Sequence, residues 1–162
     1  MIKKVLFTAA AFVALIQLIR PDFTNPPVDE AVALHADPQV MNVLKTSCFD
    51  CHSNETKYPW YHNVSPVSWI MADHITKGRA ALNFSEWDKI DPKTKLIRMK
   101  RGEQVVNNAM MPKHEYLMMH DEAVLNPEDK KVLDTFFEEQ IKALGDPSDT
   151  QTTMSHDYST MM

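Results

Sequence analysis

Between Asp37 and Gly145 a short oxygen-bearing residue stands directly before a proline four times: Asp37-Pro38, Ser65-Pro66, Asp91-Pro92 and Asn126-Pro127. The side-chain oxygen accepts a hydrogen bond from a free amide of a starting helix. Proline suits the next position because its missing N–H has no partner there in any case. Four helix starts are therefore written into the sequence. With three glycines and ten prolines among 162 residues, a sheet-rich, turn-rich domain is disfavoured. The expected fold class is all-α, with one domain and non-globular ends for a chain of this length.

Each start opens a patterned stretch. "DPQVMNVLKTSC" places Val40, Val43 and Leu44 on one face and runs into Cys48. "SPVSWIMADHITKG" aligns Val67, Ile70, Met71 and His74 or Ile75, and Gly78 reads as a left-handed stop. "DPKTKLIRMKRGEQVVNN" is more polar, with Leu96, Ile97 and Val105 apolar and Gly102 as a break point. "NPEDKKVLDTFFEEQIKALG" sets Val132, Leu133, Phe136, Phe137, Ile141 and Leu144 in one stripe up to Gly145, the pattern of a core helix.

Upstream, Lys3 and Lys4 precede an uncharged apolar run from Val5 to Ile19, closed by Arg20-Pro21. This reads as an export signal without a small-x-small cleavage site, hence as an uncleaved transmembrane signal-anchor over residues 1–20. The basic start places the N-terminus inside, so the expectation is an inner-membrane anchor with the domain in the periplasm. Residues 21–36 read as a tether, 37–145 as the domain, and 146–162 as a polar disordered tail. Lys3, Lys4 and Arg20 contribute +3 to a net charge of −5, leaving −8 for the remainder. So acidic a domain is not expected to bind nucleic acid.

The only two cysteines, Cys48 and Cys51, stand in "CFDCH" with His52 directly after. Four chemistries compete for that pattern. In covalent c-type haem attachment, two thiols add to the haem vinyl groups and the adjacent histidine takes the iron. A redox dithiol is normally sought near a βαβ pattern, which this chain lacks. A structural zinc site needs a second ligand pair. A plain disulfide suits an oxidising compartment. Attachment uses all three residue types at this spacing, and export would put the motif where such haem is attached.

A six-coordinate iron needs a second axial ligand. Met111 is the first choice, since Pro112 fixes the backbone beside it between helices; Met110 is its rival, and His62, His74, His114 and His120 are further candidates. Methionines 118 and 119 read as filling core and haem edge. Trp60 and Trp69 are candidate walls of the pocket, while Tyr58, Trp60 or Arg79 are candidate hydrogen-bond donors to the propionates.

The stretch "CFDCHSNETKYPWYHNVSPVSWIMADHITKGRAALNFSEW", followed by "MMPKHEYLMMHDEAVLNPEDKKVLDTFF", resembles the haem-binding-domain family of exported, often membrane-tethered c-type cytochromes. The resemblance covers residues 36–144 and the apolar run ending in "IQLIRP". It implies a cytochrome c-like helical fold, one covalent haem on Cys48 and Cys51, His52 on the iron, and a Met-Pro element at Met111-Pro112. The expected function is single-electron transfer between redox partner proteins rather than catalysis. The alternative is a haem enzyme or a gas or peroxide sensor with an open distal position. A haem-free module closed by a disulfide is a third possibility.

Overall fold

A computed structural model describes residues 1–145. The tail expected beyond Gly145 lies outside the described residues. Among them the regular elements are all helical: α1 (Ile2–Ile16), α2 (Pro38–Ser47), α3 (Phe49–His52), α4 (Val67–Ala81), α5 (Pro92–Asn107), α6 (His114–Leu117) and α7 (Pro127–Ala143). Short 3₁₀ turns at Trp60–Asn63, Phe84–Lys89 and Asp121–Ala123 join them.

Three of the four proline-marked starts are built as the sequence indicates. Asp37 accepts from Gln39 N at 2.8 Å, Asp91 from Thr94 N at 3.0 Å, and Asn126 forms a reciprocal capping box with Asp129. Ser65 does not cap α4. Its hydroxyl lies 3.1 Å from that of Ser68, and Pro66 takes the cap position with no side-chain bond.

Both interior glycines serve close packing rather than helix ends. A Cβ on Gly102 would come within 2.9 Å of the Phe137 ring, so α5 continues unbroken and lies tight against α7. Its buried face is Met99 and Val106, not the Leu96, Ile97 and Val105 suggested by the pattern. Gly78 does not stop α4, which runs on to Ala81. A Cβ there would overlap the Cys51 carbonyl oxygen and stand 2.9 Å from its carbon. The helix therefore needs glycine at this position to cross α3.

The core joins Val43, Leu44, Phe49, Leu82, Phe84, Trp87, Met99, Val106, Leu133, Phe136 and Phe137. Segment 21–36, read as a tether, is docked on it. Leu34 is only 4% exposed, Leu34 N donates to Phe84 O at 2.8 Å, and Asp88 N donates to Val32 O at 2.9 Å.

The expected membrane anchor is corrected. No helix of the described residues is long and apolar enough to cross a membrane. Helix α1 has 15 residues, about 22 Å at 1.5 Å per residue, against roughly 30 Å of hydrocarbon. The chain leaves it at Gln17, whose side-chain amide meets Ser65 N at 2.9 Å and Ser65 O at 3.1 Å. Ile19 O then accepts from Trp69 Nε1 at 2.9 Å. Residues that would have extended a span are thus folded onto α4. Inner-membrane anchoring is not supported, and periplasmic placement loses the anchor on which it rested.

Candidate functional site

Helix α2 ends at Cys48, whose φ of −127° breaks the helical path before α3 begins. The kink brings Cys48, Cys51 and His52 to one wall of a cavity of about 580 Å³, within the ordinary range for a cofactor site. Opposite elements of the lining come from α4, from Tyr61, and from the segment carrying Met111, Tyr116, Met119 and His120.

His52 is oriented by the backbone. Its Nδ1 lies 3.0 Å from Leu82 O. A carbonyl can only accept, so Nδ1 carries the proton and Nε2 keeps its lone pair. Burial pushes the imidazole below its ordinary pKa, outweighing its backbone hydrogen bonds. This is the form and tautomer a metal-binding imidazole requires, with the second ring nitrogen anchored by a carbonyl.

Both cysteines are free thiols. Burial first, then the neighbouring Cys51, pushes Cys48 up to about 12. Cys51 rises to about 11, mainly through burial and then Asp50, against smaller opposing effects of Lys113 and Arg79. A redox-active dithiol depends on a thiolate stabilised by positive surroundings. This site does the opposite and counts against that chemistry. No cluster of three or more His, Cys, Asp or Glu side chains suited to a metal occurs among the described residues.

The stripe Val67, Ile70, Met71 and His74 appears on α4 at its helical spacing, but it faces the cavity rather than the core. Val67 and Ile70 are consequently exposed. Such a continuous apolar wall suits a large flat apolar ligand. Of the methionines near the expected distal element, Met111 lines the cavity and also packs against the core. Met110 and Met118 are exposed and lie off the lining. Met71 and Met119 supply two further sulfurs on the wall.

The candidate histidines separate clearly. His62 lies off the cavity, with Nδ1 2.6 Å from Pro59 O and Nε2 2.8 Å from Asn63 Nδ2. His120 lines it, yet both nitrogens are engaged, by the Tyr61 hydroxyl at 2.9 Å and by Glu122 Oε1 at 2.9 Å. His114 is not on the lining, whereas His74 is, and its ring enters no hydrogen bond with the described residues.

Tyr58, Trp60, Trp69 and Arg79, expected around the ligand, are not on this cavity. Trp60 is 81% exposed. Trp69 is turned to Ile19 O, and Tyr58 donates to Asn25 Oδ1 at 2.9 Å. Arg79 is bound inside a polar knot: Nε donates to Ser53 O at 2.8 Å, and Nη2 to Asn25 Oδ1 at 2.7 Å and Thr56 Oγ1 at 2.9 Å. The same knot holds Asn54, whose N–H reaches Ser85 Oγ at 2.9 Å and whose Oδ1 accepts from Asn83 Nδ2 at 2.9 Å. Ser53, Asn54 and Thr56 of "SNET" therefore form a buried fastening behind α3, and Thr56 also lines the cavity. The residues missed are Tyr61 and Tyr116. The turn after α6, from Met118 to His120, brings the Tyr116 and His120 rings together, 4.2 Å apart and nearly parallel.

An anchored imidazole with a free Nε2, two protonated thiols, thioether sulfurs and a broad apolar wall define a small helical protein built to hold a haem. The family model of the haem-binding domain matches residues 11–139, and the chain belongs to that family. Haem is its cofactor. No curated protein and no solved structure matches the chain.

Proposed function

We propose that the domain carries one haem joined covalently to Cys48 and Cys51, with His52 Nε2 as axial ligand, and passes single electrons between redox partner proteins. The observation that carries this reading is the His52 Nδ1–H bond to Leu82 O, made on the wall shared with both thiols. When bound, haem iron supplies a one-electron Fe(III)/Fe(II) couple.

The chain's own residues have separable roles in this reading. Leu82 O fixes the tautomer and angle of the imidazole. Gly78 lets α4 lie directly against Cys51, and the stripe Val67, Ile70 and Met71 keeps water from the ligand face. Met111 would supply the second protein ligand to the iron, and its thioether would favour a higher potential than a second imidazole. Electron transfer needs no general acid or base at the ligand. Two pairs of the wall's polar groups are bonded to each other, Asp50 with Tyr116 and Tyr61 with His120.

A second reading, a haem enzyme or a gas or peroxide sensor with an open distal position, has one observation behind it. His74 lines the cavity with its ring outside any hydrogen bond with the described residues. Haem staining of the denatured protein tests covalent attachment. The stain is expected to stay with the chain and to vanish in Cys48→Ala/Cys51→Ala; haem released from the wild type on denaturation refutes it. A weak near-infrared methionine–iron band in the oxidised form is expected with Met111. Fast carbon monoxide binding to the reduced form favours the second reading.

A further inference from the structure

The stretch from Asn107 to Glu122 contributes a wall of the cavity, yet none of its residues is buried. Val106 before it and Ala123 after it are both core residues. The stretch leaves α5 through Ala109, at a left-handed φ of 52°, and Met110 N and Met111 N fold back onto Val105 O at 2.8 and 3.1 Å. Asn108 N and Ala109 N still bond back to Gln104 O and Val106 O, and Ala123 N and Val124 N bond to His120 O and Asp121 O at the other end. The backbone bonds of residues 116–120, through α6, run within the stretch itself. Its side chain packed against the core is the half-buried Met111, near its start, so the part beyond Pro112 has little intrinsic reason to hold one position.

Two tyrosine hydroxyls tie it to the rest of the chain. Tyr116 Oη donates to Asp50 Oδ2 at 2.8 Å, across 66 residues. Asp50 stands between the two cysteines, and its other oxygen accepts from Lys57 N at 2.9 Å. The carboxylate therefore joins the cysteine helix, the turn after it and the Met111 segment. Tyr61 Oη reaches His120 Nε2 at 2.9 Å. Glu122 accepts from His120 Nδ1–H at 2.9 Å, which leaves Nε2 as the acceptor for that hydroxyl. The Tyr116 ring lies flat on the His120 ring, so the two ties form one unit. Hydrogen bonds to a carboxylate are about twice as strong as neutral ones, and Tyr116 makes the charged one.

We propose that Tyr116 and Asp50 form a latch that closes the Asn107–Glu122 flap over the ligand face of the cavity, with Tyr61 and His120 as its second catch. Tyr116 is a positioning residue. It acts through the flap, setting how firmly Met111 and Met119 are presented and how readily a small exogenous molecule reaches the cavity. The spectroscopic part of this inference rests on the haem reading above; the mechanical part does not.

The test is amide hydrogen exchange on the full chain with its haem, comparing wild type, Tyr116→Phe and Tyr58→Phe. Tyr58→Phe removes an equally short hydroxyl bond, to Asn25, at a position off the flap. Exchange across residues 113–120 is expected to quicken by about tenfold or more in Tyr116→Phe, the loss of one charge-assisted bond. Exchange in α5 and α7 should stay at the wild-type rate, and Tyr58→Phe should leave the flap unchanged. Unaltered flap exchange in Tyr116→Phe overturns the latch, whatever the state of the haem. In the same samples, carbon monoxide should bind the reduced Tyr116→Phe protein several-fold faster, while the denatured-chain haem stain is unchanged. Equal binding rates overturn the gating role even if the flap loosens, and a stain lost from the wild type refutes covalent attachment separately.

Discussion

Replacing Gly78 with alanine sets two effects of opposite sign against each other. In the middle of a helix, alanine is favoured over glycine by about 1 kcal/mol, so an exposed site would gain stability. At Gly78 the added Cβ would overlap the Cys51 carbonyl oxygen and stand 2.9 Å from the Cys51 carbon and 3.0 Å from its Cβ. Two of these three contacts are backbone, which no rotamer change relieves. Either α4 or α3 must move, and overpacking of this kind costs about 3 kcal/mol at the upper end of its usual range. The expected net loss is about 2 kcal/mol, a large share of the stability of a domain this size. Urea unfolding of Gly78→Ala against wild type measures it, with the covalent haem yield as a second readout, since displacement of α3 moves both thiols. A midpoint equal to or above that of the wild type would show that α3 and α4 are not in direct backbone contact. Gly145→Ala is the control. Its φ of +75° imposes a left-handed cost of about 1 kcal/mol, but no atom of the described residues lies within 4 Å of the new Cβ, so haem yield should not change.

Further outcomes follow from side chains placed away from the cavity. Arg79→Ala removes three hydrogen bonds of the polar knot and should lower unfolding free energy by about 2 kcal/mol, with the absorption spectrum of the loaded protein unchanged; a shifted spectrum at unaltered stability would restore Arg79 as a propionate partner. Trp60→Ala should alter neither stability, beyond about 0.5 kcal/mol, nor the haem spectrum, and a change in the spectrum would return Trp60 to the pocket. Asp91 is held below the usual carboxylate pKa by its hydrogen bonds to Thr94. Its contribution is present above the unfolded value of 3.8 and fades as pH falls through the lower folded value. Asp91→Asn should therefore flatten the pH dependence of unfolding below about pH 4, and identical acid profiles would refute the assignment.

Local signals in this sequence were legible where one residue acts on its own neighbours. Asp37, Asp91 and Asn126 cap helices because a cap needs only the next three amides. Cys48, Cys51 and His52 sit together because five consecutive residues put them there. Legibility failed where the partner is distant in sequence. Gly78 has the spacing of a helix stop, yet its reason is Cys51, in another helix. The α4 stripe has the period of a core face, and period alone cannot distinguish a protein core from a cofactor wall. The size of Trp60 and Trp69 suggests pocket walls, whereas in the structure Trp60 is exposed and Trp69 Nε1 donates to Ile19 O. The apolar N-terminal run had the composition of a span but not the helix length. Gln17 turned the chain towards Ser65 instead.

The docking of residues 21–36 bears on what can be excised from this chain and still fold. A fragment opened at Asp37, where the first proline-capped helix begins, would leave behind Leu34, which fills the core beside Phe84. It would also strip Asn25 from Tyr58 and Arg79, leaving a guanidinium and a phenol to find water where they now find an amide. The smallest autonomous piece therefore starts upstream of Asn25. Its boundary is set by an irregular length of chain wrapped around the helices, and α2 is already interior to it.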